Sequence, residues 1–280
     1  MTKQSNGNVV HSVKSNQEDI YRNLEEVVRK YATTSFLRPV ADHTREAFEK
    51  VCEFVYNFYA ARDAANSASD AANSTSNCAA ASCTELVLDS GCGTGESTLH
   101  LAKKFPNVPV IGIDKSAVRL TKAGNGRQLE CAAESGPCGA PAGASTGMAV
   151  PLNAFWVRAE LLDFWRLALE KVVAGEWNIL HHALYYPNPW PKESEATRRF
   201  HLHPIFPTLL RLSPVTELRT NWEIYAREFA EAARVADDAL QLKLGAEFAP
   251  FSPTVPETAF ERKYKNAGQE LFRVLVRRDS

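Results

Sequence analysis

The chain has 280 residues, 45% of them hydrophobic and 23% charged, with a formal net charge of −1. That length and apolar content suffice for one full α/β core with a small extension and exclude wholesale disorder. The near-neutral balance argues against a nucleic-acid binder held by bulk electrostatics alone, and no apolar run approaches the length of a bilayer span.

Ser15-Asn-Gln-Glu18 has the form of a capping box, and the apolar spacing of Ile20, Leu24, Val27, Val28 and Tyr31 behind it predicts an amphipathic helix. Arg38-Pro39 marks an extended connector. A second helix is expected from Asp42 or Thr44, with Phe48, Val51, Val55 and Phe58 on one face. Residues 60–82 are rich in Ala, Ser and Asn and repeat Asp63-Ala-Ala-Asn-Ser67 as Asp70-Ala-Ala-Asn-Ser74. Lacking large apolar residues, this stretch reads as a linker. The expected organisation is a helical extension over 1–60, a linker over 61–83 and a main domain over 84–280.

The main domain opens with an expected strand, Glu85 to Asp89, inside Leu86-Val-Leu-Asp-Ser-Gly-Cys-Gly-Thr-Gly95. An apolar run that ends in an acid and then three close glycines predicts a buried strand entering a tight turn, where the backbone needs positive φ and a ligand comes close. A helix from about Glu96 to Phe105 follows, then a strand from Val108 to Asp114, whose carboxylate lies nineteen residues beyond Gly95 and can accept ribose hydroxyls. A further helix begins near Ser116. Gly124 to Val150 reads as an irregular insertion. Phe155–Ala159 is a third strand ending at Glu160, Leu161–Ala174 a helix, and Trp177–Tyr185 a fourth strand that runs into Tyr186-Pro-Asn-Pro-Trp-Pro-Lys192. Glu217–Thr220 is a fifth strand, Thr220-x-x-Glu223 a second capping box for a helix carrying Ile224, Phe229, Ala233 and Ala236, and Leu271–Val276 a last strand. The alternation predicts an α/β fold with a doubly wound, mostly parallel sheet and antiparallel strands at its C-terminal edge.

The glycine turn distinguishes between nucleoside cofactors. Dinucleotide sites carry G-x-G-x-x-G, whereas here the spacing is Gly91-x-Gly93-x-Gly95, with Glu96 where the third glycine would stand. A carboxylate beside a pyrophosphate is repulsive, but it suits the cationic amino acid moiety of S-adenosylmethionine. Asp89, Gly91, Cys92, Gly93, Asp114, Lys115, Glu160 and Leu161 are therefore the expected S-adenosylmethionine residues, Glu160 placed to accept from the adenine amino group. Asp89, Asp114, Glu160 and Asn188 fall at or just past four successive strand ends, and in an open parallel sheet ligands sit beyond those ends.

Three prolines lock the 186–192 loop and fix the directions of Asn188 and Trp190. This loop, followed by Arg198-Arg199, resembles the proline-bounded loop of the tRNA (guanine-N7)-methyltransferases, in the divergent branch that reads Pro-Asn-Pro-Trp-Pro-Lys. Ser15-Asn-Gln17, Arg38-Pro39 and His201-Leu-His-Pro204 are similar to that branch, as Arg219-Thr-Asn-Trp-Glu-Ile-Tyr225 and Thr258-Ala-Phe-Glu-Arg-Lys-Tyr264 are to later family segments. The resemblance implies a Rossmann-like class I fold, a tRNA partner, Asn188 as the catalytic residue, and guanosine or tRNA contacts from Asn188, Trp190, Lys192, Asn221, Thr258 and Glu261. It departs from the family where Asn188 and Asn221 replace aspartates, Glu160 replaces a shorter acid, and Glu193, Ser194 and Glu195 replace a basic stretch.

Guanine N7 has an exposed lone pair and no proton to remove, so positioning suffices. His181, His182 and His203 read accordingly as buried or loop residues. Other readings stay open at this point: an exocyclic amine, a protein or a small molecule as acceptor, or a silent binding subunit, against which the intact glycines and Asp114 speak. The six cysteines, Cys52, Cys78, Cys83, Cys92, Cys131 and Cys138, contain no Cys-x-x-Cys pair, so neither a zinc site nor a disulfide framework is indicated. The polar first residues lack the apolar core of a signal peptide. A soluble, cytoplasmic protein is expected, with no metal and no membrane contact, acting as a monomer or beside a partner subunit.

Overall fold

The computed structural model describes residues 13–70, 83–122 and 150–279. The insertion expected over 124–150 lies almost wholly outside these residues, as do the later part of the linker and Cys78, Cys131 and Cys138. The chain divides into two compact units, Arg38–Ala183 and a second one built from the residues before 38 and after 183.

The first helix in chain order, α1 (Leu24–Ala32), belongs to the second unit. The first unit holds α2 (Asp42–Asp70), β1 (Thr84–Ser90), α3 (Glu96–Lys104), β2 (Val110–Asp114), α4 (Ala117–Leu120), β3 (Ala154–Arg158), α5 (Leu161–Val173) and β4 (Trp177–Tyr185), whose last two residues belong to the second unit. β1 pairs in parallel with both β2 and β4, and β2 pairs in parallel with β3. Strands covered on both faces need continuous apolar runs. Leu86, Val87, Leu88, Val110, Ile111 and Ile113 supply them, all fully buried. α2 packs on α5 and β3 through rings: Phe48 lies 5.1 Å from both Phe164 and Trp177, and Phe54 stacks on Phe155 at 4.7 Å. Buried Asp163 of α5 ties down the entry to α2 by accepting from Arg38 Nη2 (3.0 Å) and the Ala41 N–H (3.1 Å). α2 continues to Asp70, ten residues into the stretch whose composition suggests a linker. Alanine's helix propensity prevails there over the Ser and Asn content.

The second unit holds, besides α1, α6 (Phe206–Leu212), β5 (Val215–Thr220), α7 (Glu223–Leu240), β6 (Leu244–Phe251), α8 (Ala259–Asn266) and β7 (Leu271–Arg278). β7 pairs antiparallel with both β5 and β6. Across the chain the strand order is β3-β2-β1-β4-β5-β7-β6. This is the doubly wound, mostly parallel sheet with an antiparallel C-terminal edge that the strand–helix alternation predicts. Among the described residues no helix is long and apolar enough to cross a membrane.

Two capping boxes do not form. Ser15 Oγ accepts from the Gln17 N–H at 2.9 Å and donates to the Pro191 carbonyl at 2.6 Å, and α1 starts only at Leu24. Thr220 Oγ1 accepts from the Trp222 N–H, and Trp222 becomes the residue before α7, without a side-chain cap. In both places a hydroxyl closes a two-residue turn instead of a helix end. β6 has no counterpart among the predicted strands.

Gly112, in the middle of β2, is required by close packing. A Cβ there would lie 2.5 Å from Thr98 Oγ1 of α3 and 2.8 Å from Trp156 Cδ1 of β3. The Gly112→Ala variant is expected to lose about 1–3 kcal/mol of stability through overpacking, read as a lower urea midpoint at unchanged slope. A midpoint equal to wild type contradicts this packing.

Candidate active site

The turn after β1 is built by backbone geometry and two buried carboxylates. Gly91, Gly93 and Gly95 have φ of 78°, 59° and 75°, where L side chains are strained. At Gly91 an added Cβ would meet nothing within 4 Å, and at Gly93 only the Gly91 carbonyl at 4.0 Å. The space against the turn is open, so these two glycines serve conformation and approach, unlike Gly112. The turn is pinned to the end of β2: Gly91 N–H (2.7 Å) and Cys92 N–H (3.1 Å) both donate to the Ile113 carbonyl, and Gly93 N–H donates to Asp114 Oδ2 (3.0 Å).

Asp89 and Asp114 are both buried, at 1% and 2% exposure, and differ in what surrounds them. Asp89 Oδ2 accepts from Ser97 Oγ at 2.7 Å and Thr98 Oγ1 at 2.6 Å, so it fastens the first turn of α3 to β1. Asp114 Oδ1 accepts from the Ser116 N–H at 2.8 Å and faces Arg119 at 3.3 Å. Cys92 is buried, and that burial, with the charges of Asp89 and Asp114, pushes its thiol well up; it is no nucleophile. Lys115 is exposed, and its carbonyl accepts from Arg158.

Glu160 stands two residues beyond β3, which pairs directly with β2. It is the N-cap of α5, yet its side chain makes no capping bond. Its backbone N–H donates to Thr44 Oγ1 of α2 at 3.1 Å, and Leu161 beside it is half-buried. Asp89, Asp114 and Glu160 thus stand at the carboxyl ends of three adjacent parallel strands, and the sequence had no signal for Thr44 as the support of the third.

The second unit carries the proline loop. Asn188 and Lys192 are exposed, and Trp190 is half-buried with the Arg198 guanidinium 4.6 Å from its ring centre. Tyr186 and Trp190 have φ of 53° and 46°, a strained conformation for bulky residues that persists only when the surroundings enforce it. Tyr186 N–H donates to the Arg219 carbonyl at 2.7 Å. Fully buried Arg199 donates through Nη2 to the Trp190 carbonyl (2.8 Å) and to Gln17 Oε1 (2.9 Å), and through Nε to the Pro189 carbonyl (3.2 Å). Its charge is met by Glu228 of α7 at 2.9 and 2.6 Å, and Glu228 also accepts from Gln17 Nε2, the Tyr21 N–H and His201 Nε2. Burial alone would raise the Glu228 carboxyl. The hydrogen bond from His201, the Arg199 charge and Gln17 outweigh it and hold that carboxyl down at about 2.

The remaining expected acceptor residues are placed differently. Thr258 Oγ1 caps α8 by accepting from the Glu261 N–H at 3.0 Å. Glu261 is fully buried, with Oε1 on Arg219 (2.9 Å) and Oε2 on the Glu257 N–H (2.6 Å). Arg219 also meets Glu217 and Glu257 and lies 3.9 Å from the Tyr185 ring centre. Asn221 is half-buried and donates to Gln269 Oε1 at 3.3 Å. Thr258 and Glu261 therefore organise Arg219 and α8, whereas Asn188 and Lys192 stand in solvent. Among the described residues no three His, Cys, Asp or Glu side chains form a metal-binding group, and Cys52, Cys83 and Cys92 are free thiols.

A family model described as a methyltransferase domain matches residues 87–136, which includes the end of β1, the glycine turn, α3, β2 and α4. The chain is 27% identical over 197 residues to the tRNA (guanine-N(7)-)-methyltransferase of Saccharophagus degradans, covering 69% of this chain and 75% of that protein. It is 28% identical over 190 residues to the protein of that name from Mycobacterium ulcerans, covering 66% and 60%. The corresponding Mycobacterium tuberculosis protein is 28% identical over 194 residues, with 68% and 65% covered. The chain thus spans 60 to 75% of the length of these relatives. Sheet order, glycine turn and strand-end acids define a class I, S-adenosylmethionine-dependent methyltransferase. Its resemblance to the tRNA (guanine-N7)-methyltransferases is borne out by these relatives.

The first unit also contains a pH-sensitive pair. His182 of β4 is fully buried, 2.8 Å from Ser90 Oγ, which in turn accepts from Trp165 Nε1. Burial, with a smaller contribution from His181, lowers its pKa to about 3. The unfolded chain takes up this proton near 6.5, so stability is flat above that pH and falls as pH drops through 6.5 towards 3. Between about pH 7 and 5 the thermal midpoint is expected to fall less steeply in the His182→Gln variant than in wild type. Parallel profiles contradict this assignment.

Proposed function

We propose that the protein methylates guanine N7 in tRNA. The observation that carries this reading is the proline loop, held in a strained conformation by Arg199 with Asn188 exposed at its tip. The names of the relatives and the tRNA-family form of the loop support it.

On this reading the open space over Gly91 and Gly93 takes the methionine part of S-adenosylmethionine, which when bound supplies an electrophilic methyl on its sulfonium. Asp114 faces the ribose. Of its present partners two are backbone N–H groups, and the third, Arg119, is half exposed and is the one a ribose hydroxyl displaces. The Glu160 carboxylate, not used as a helix cap, accepts from the adenine amino group. Asp89, Cys92, Lys115 and Leu161 shape the turn and the strand ends around these contacts.

On the acceptor side Asn188 orients the guanine. Among the described residues its Oδ1 is engaged by the Trp190 N–H at a long 3.3 Å, which leaves amide donor and acceptor capacity for a base edge. Lys192 meets phosphate, and Trp190, clamped by Arg198, stiffens the loop. Asn221 offers a second amide to the acceptor, and Thr258 and Glu261 act through Arg219. No general base is required, because N7 attacks through a lone pair and loses no proton. Catalysis is alignment, for which misplacement by about 1 Å can forfeit a factor of about 100.

The test is transfer of a labelled methyl group to bulk tRNA with the modified position mapped. Label is expected at guanine N7. The Asn188→Ala variant is expected to lower turnover by about 10- to 100-fold while cofactor affinity holds. Label on an exocyclic amine, or on protein only, rejects the reading.

A further inference from the structure

The starts of α2 and α5 are tied to each other in a way that neither helix alone explains. In a capping box the third residue of a helix reaches back with its side chain to the N–H of the residue before that same helix. Here the two helices exchange that bond. Thr44 is the third residue of α2, and its Oγ1 accepts from the N–H of Glu160, the residue before α5, at 3.1 Å. Asp163 is the third residue of α5, and its Oδ2 accepts from the N–H of Ala41, the residue before α2, at 3.1 Å. The Ala41 carbonyl in turn accepts from the Thr44 N–H at 2.9 Å, so both bonds share one turn of chain. Thr44 and Asp163 are fully buried, and water does not compete for either bond.

The exchange fixes the backbone of Glu160. The Ala159 N–H just before it donates to the Asp114 carbonyl at 3.2 Å, its own N–H donates to Thr44, and its carbonyl accepts from the Phe164 N–H at 2.9 Å. Its side chain, which in an ordinary box would accept from the first turn of α5, makes no capping bond. The carboxylate is thus left for a ligand while the backbone that carries it is locked. Thr44 Oγ1 also lies 3.3 Å from His43 Nε2. With Nε2 as acceptor, the hydroxyl proton goes to the imidazole and a lone pair remains for the Glu160 N–H. Hydrogen bonds weaken steeply with misalignment, so this lock governs how well the Glu160 carboxylate meets a donor held in one place.

We propose that Thr44 is a positioning residue for adenine recognition: through the Glu160 N–H it aims the Glu160 carboxylate at the adenine amino group of S-adenosylmethionine. The inference rests on the cofactor reading given above and deepens it. Thr44 lies outside residues 87–136, which match the methyltransferase-domain model, so helix α2 supplies part of the choice of base in the cofactor. The Thr44→Val variant keeps the shape of the side chain but leaves a buried N–H without an acceptor, a cost that a shift of the 159–161 segment relieves. That shift moves the carboxylate off the amino group.

The probes are S-adenosylhomocysteine and its analogue with hydrogen in place of the adenine amino group. Both are titrated by calorimetry into the full-length wild type and into the Thr44→Val, Thr44→Ser and Glu160→Ala variants, each with its fold verified by circular dichroism; Thr44→Ala replaces Thr44→Val if the latter does not fold. Wild type is expected to prefer the amino-bearing ligand by about 10- to 100-fold, the worth of one hydrogen bond to a charged group. Thr44→Val is expected to lower that ratio about 10-fold by weakening the amino-bearing ligand, and Thr44→Ser to keep it. A merely structural role weakens both ligands alike. An unchanged ratio in Thr44→Val, or a ratio in Thr44→Ser as low as in Thr44→Val, therefore overturns the proposal. The two readings stay distinguishable: a ratio lost in Glu160→Ala but kept in Thr44→Val removes only the role of Thr44. A ratio kept in Glu160→Ala, or no binding of either ligand by wild type, removes the cofactor assignment and this proposal with it.

Discussion

The hydrogen bond from the Gly93 N–H to Asp114, at 3.0 Å, joins the glycine turn to the neighbouring strand, and the candidate cofactor turn depends on it. A turn of three positive-φ glycines has little rigidity of its own, because glycine loses more conformational freedom on folding than any other residue. Here three N–H groups of the turn are tied to the end of β2, two to the Ile113 carbonyl and one to Asp114. On the other side Asp89 binds the two hydroxyls that begin α3. The turn is therefore held from β1 and from β2 at once. Both carboxylates are buried and hydrogen-bonded, which meets the condition for keeping charge out of water.

A comparable logic holds the proline loop in the second unit, where the anchor is a cation. Arg199 is fully buried and distributes its donors among two loop carbonyls, the Glu228 carboxylate and Gln17. Removing one partner of such a network leaves an uncompensated buried charge. The strained φ at Tyr186 and Trp190 thus persists because the surrounding polar network over-determines it. The Ser15-Asn-Gln17 segment serves the same end. Ser15 donates to the Pro191 carbonyl, Asn16 accepts from the Glu193 N–H, and Gln17 closes on Arg199. Residues distant in sequence are held together by one requirement, a loop that does not relax.

The parallel strands were legible because buried strands demand unbroken apolar runs, and Leu86–Leu88 and Val110–Ile113 are such runs bounded by glycine and acid. β4 was legible over its full length although Asn178, His181 and His182 interrupt its apolar residues, because aromatic and aliphatic residues still dominate it between Gly175 and the prolines. β6 was not: its half-buried residues alternate weakly, and Glu247 and Pro250 disguise an edge strand that is defined only by pairing with β7. The two apparent capping boxes misled because Ser and Thr hydroxyls serve turns as readily as helix starts, and tertiary contacts decide which. Of the candidate site, the glycines, Asp114 and Asn188 carry their own signal in spacing and strand-end position. Gly112, Thr44, Arg199 and Glu228 do not, since each acts through a neighbour that only the folded chain supplies. Glu261 was visible as part of a motif, yet its burial against Arg219 was not.

The account turns on whether the pinned glycine turn is a methyl-donor site. Calorimetric titration of the full-length protein with S-adenosylmethionine tests this directly, alongside the Asp114→Ala variant with its fold verified by circular dichroism. Saturable one-to-one binding by wild type and its loss in the folded variant is the predicted result. No heat in wild type, or undiminished affinity in a folded Asp114→Ala protein, contradicts it.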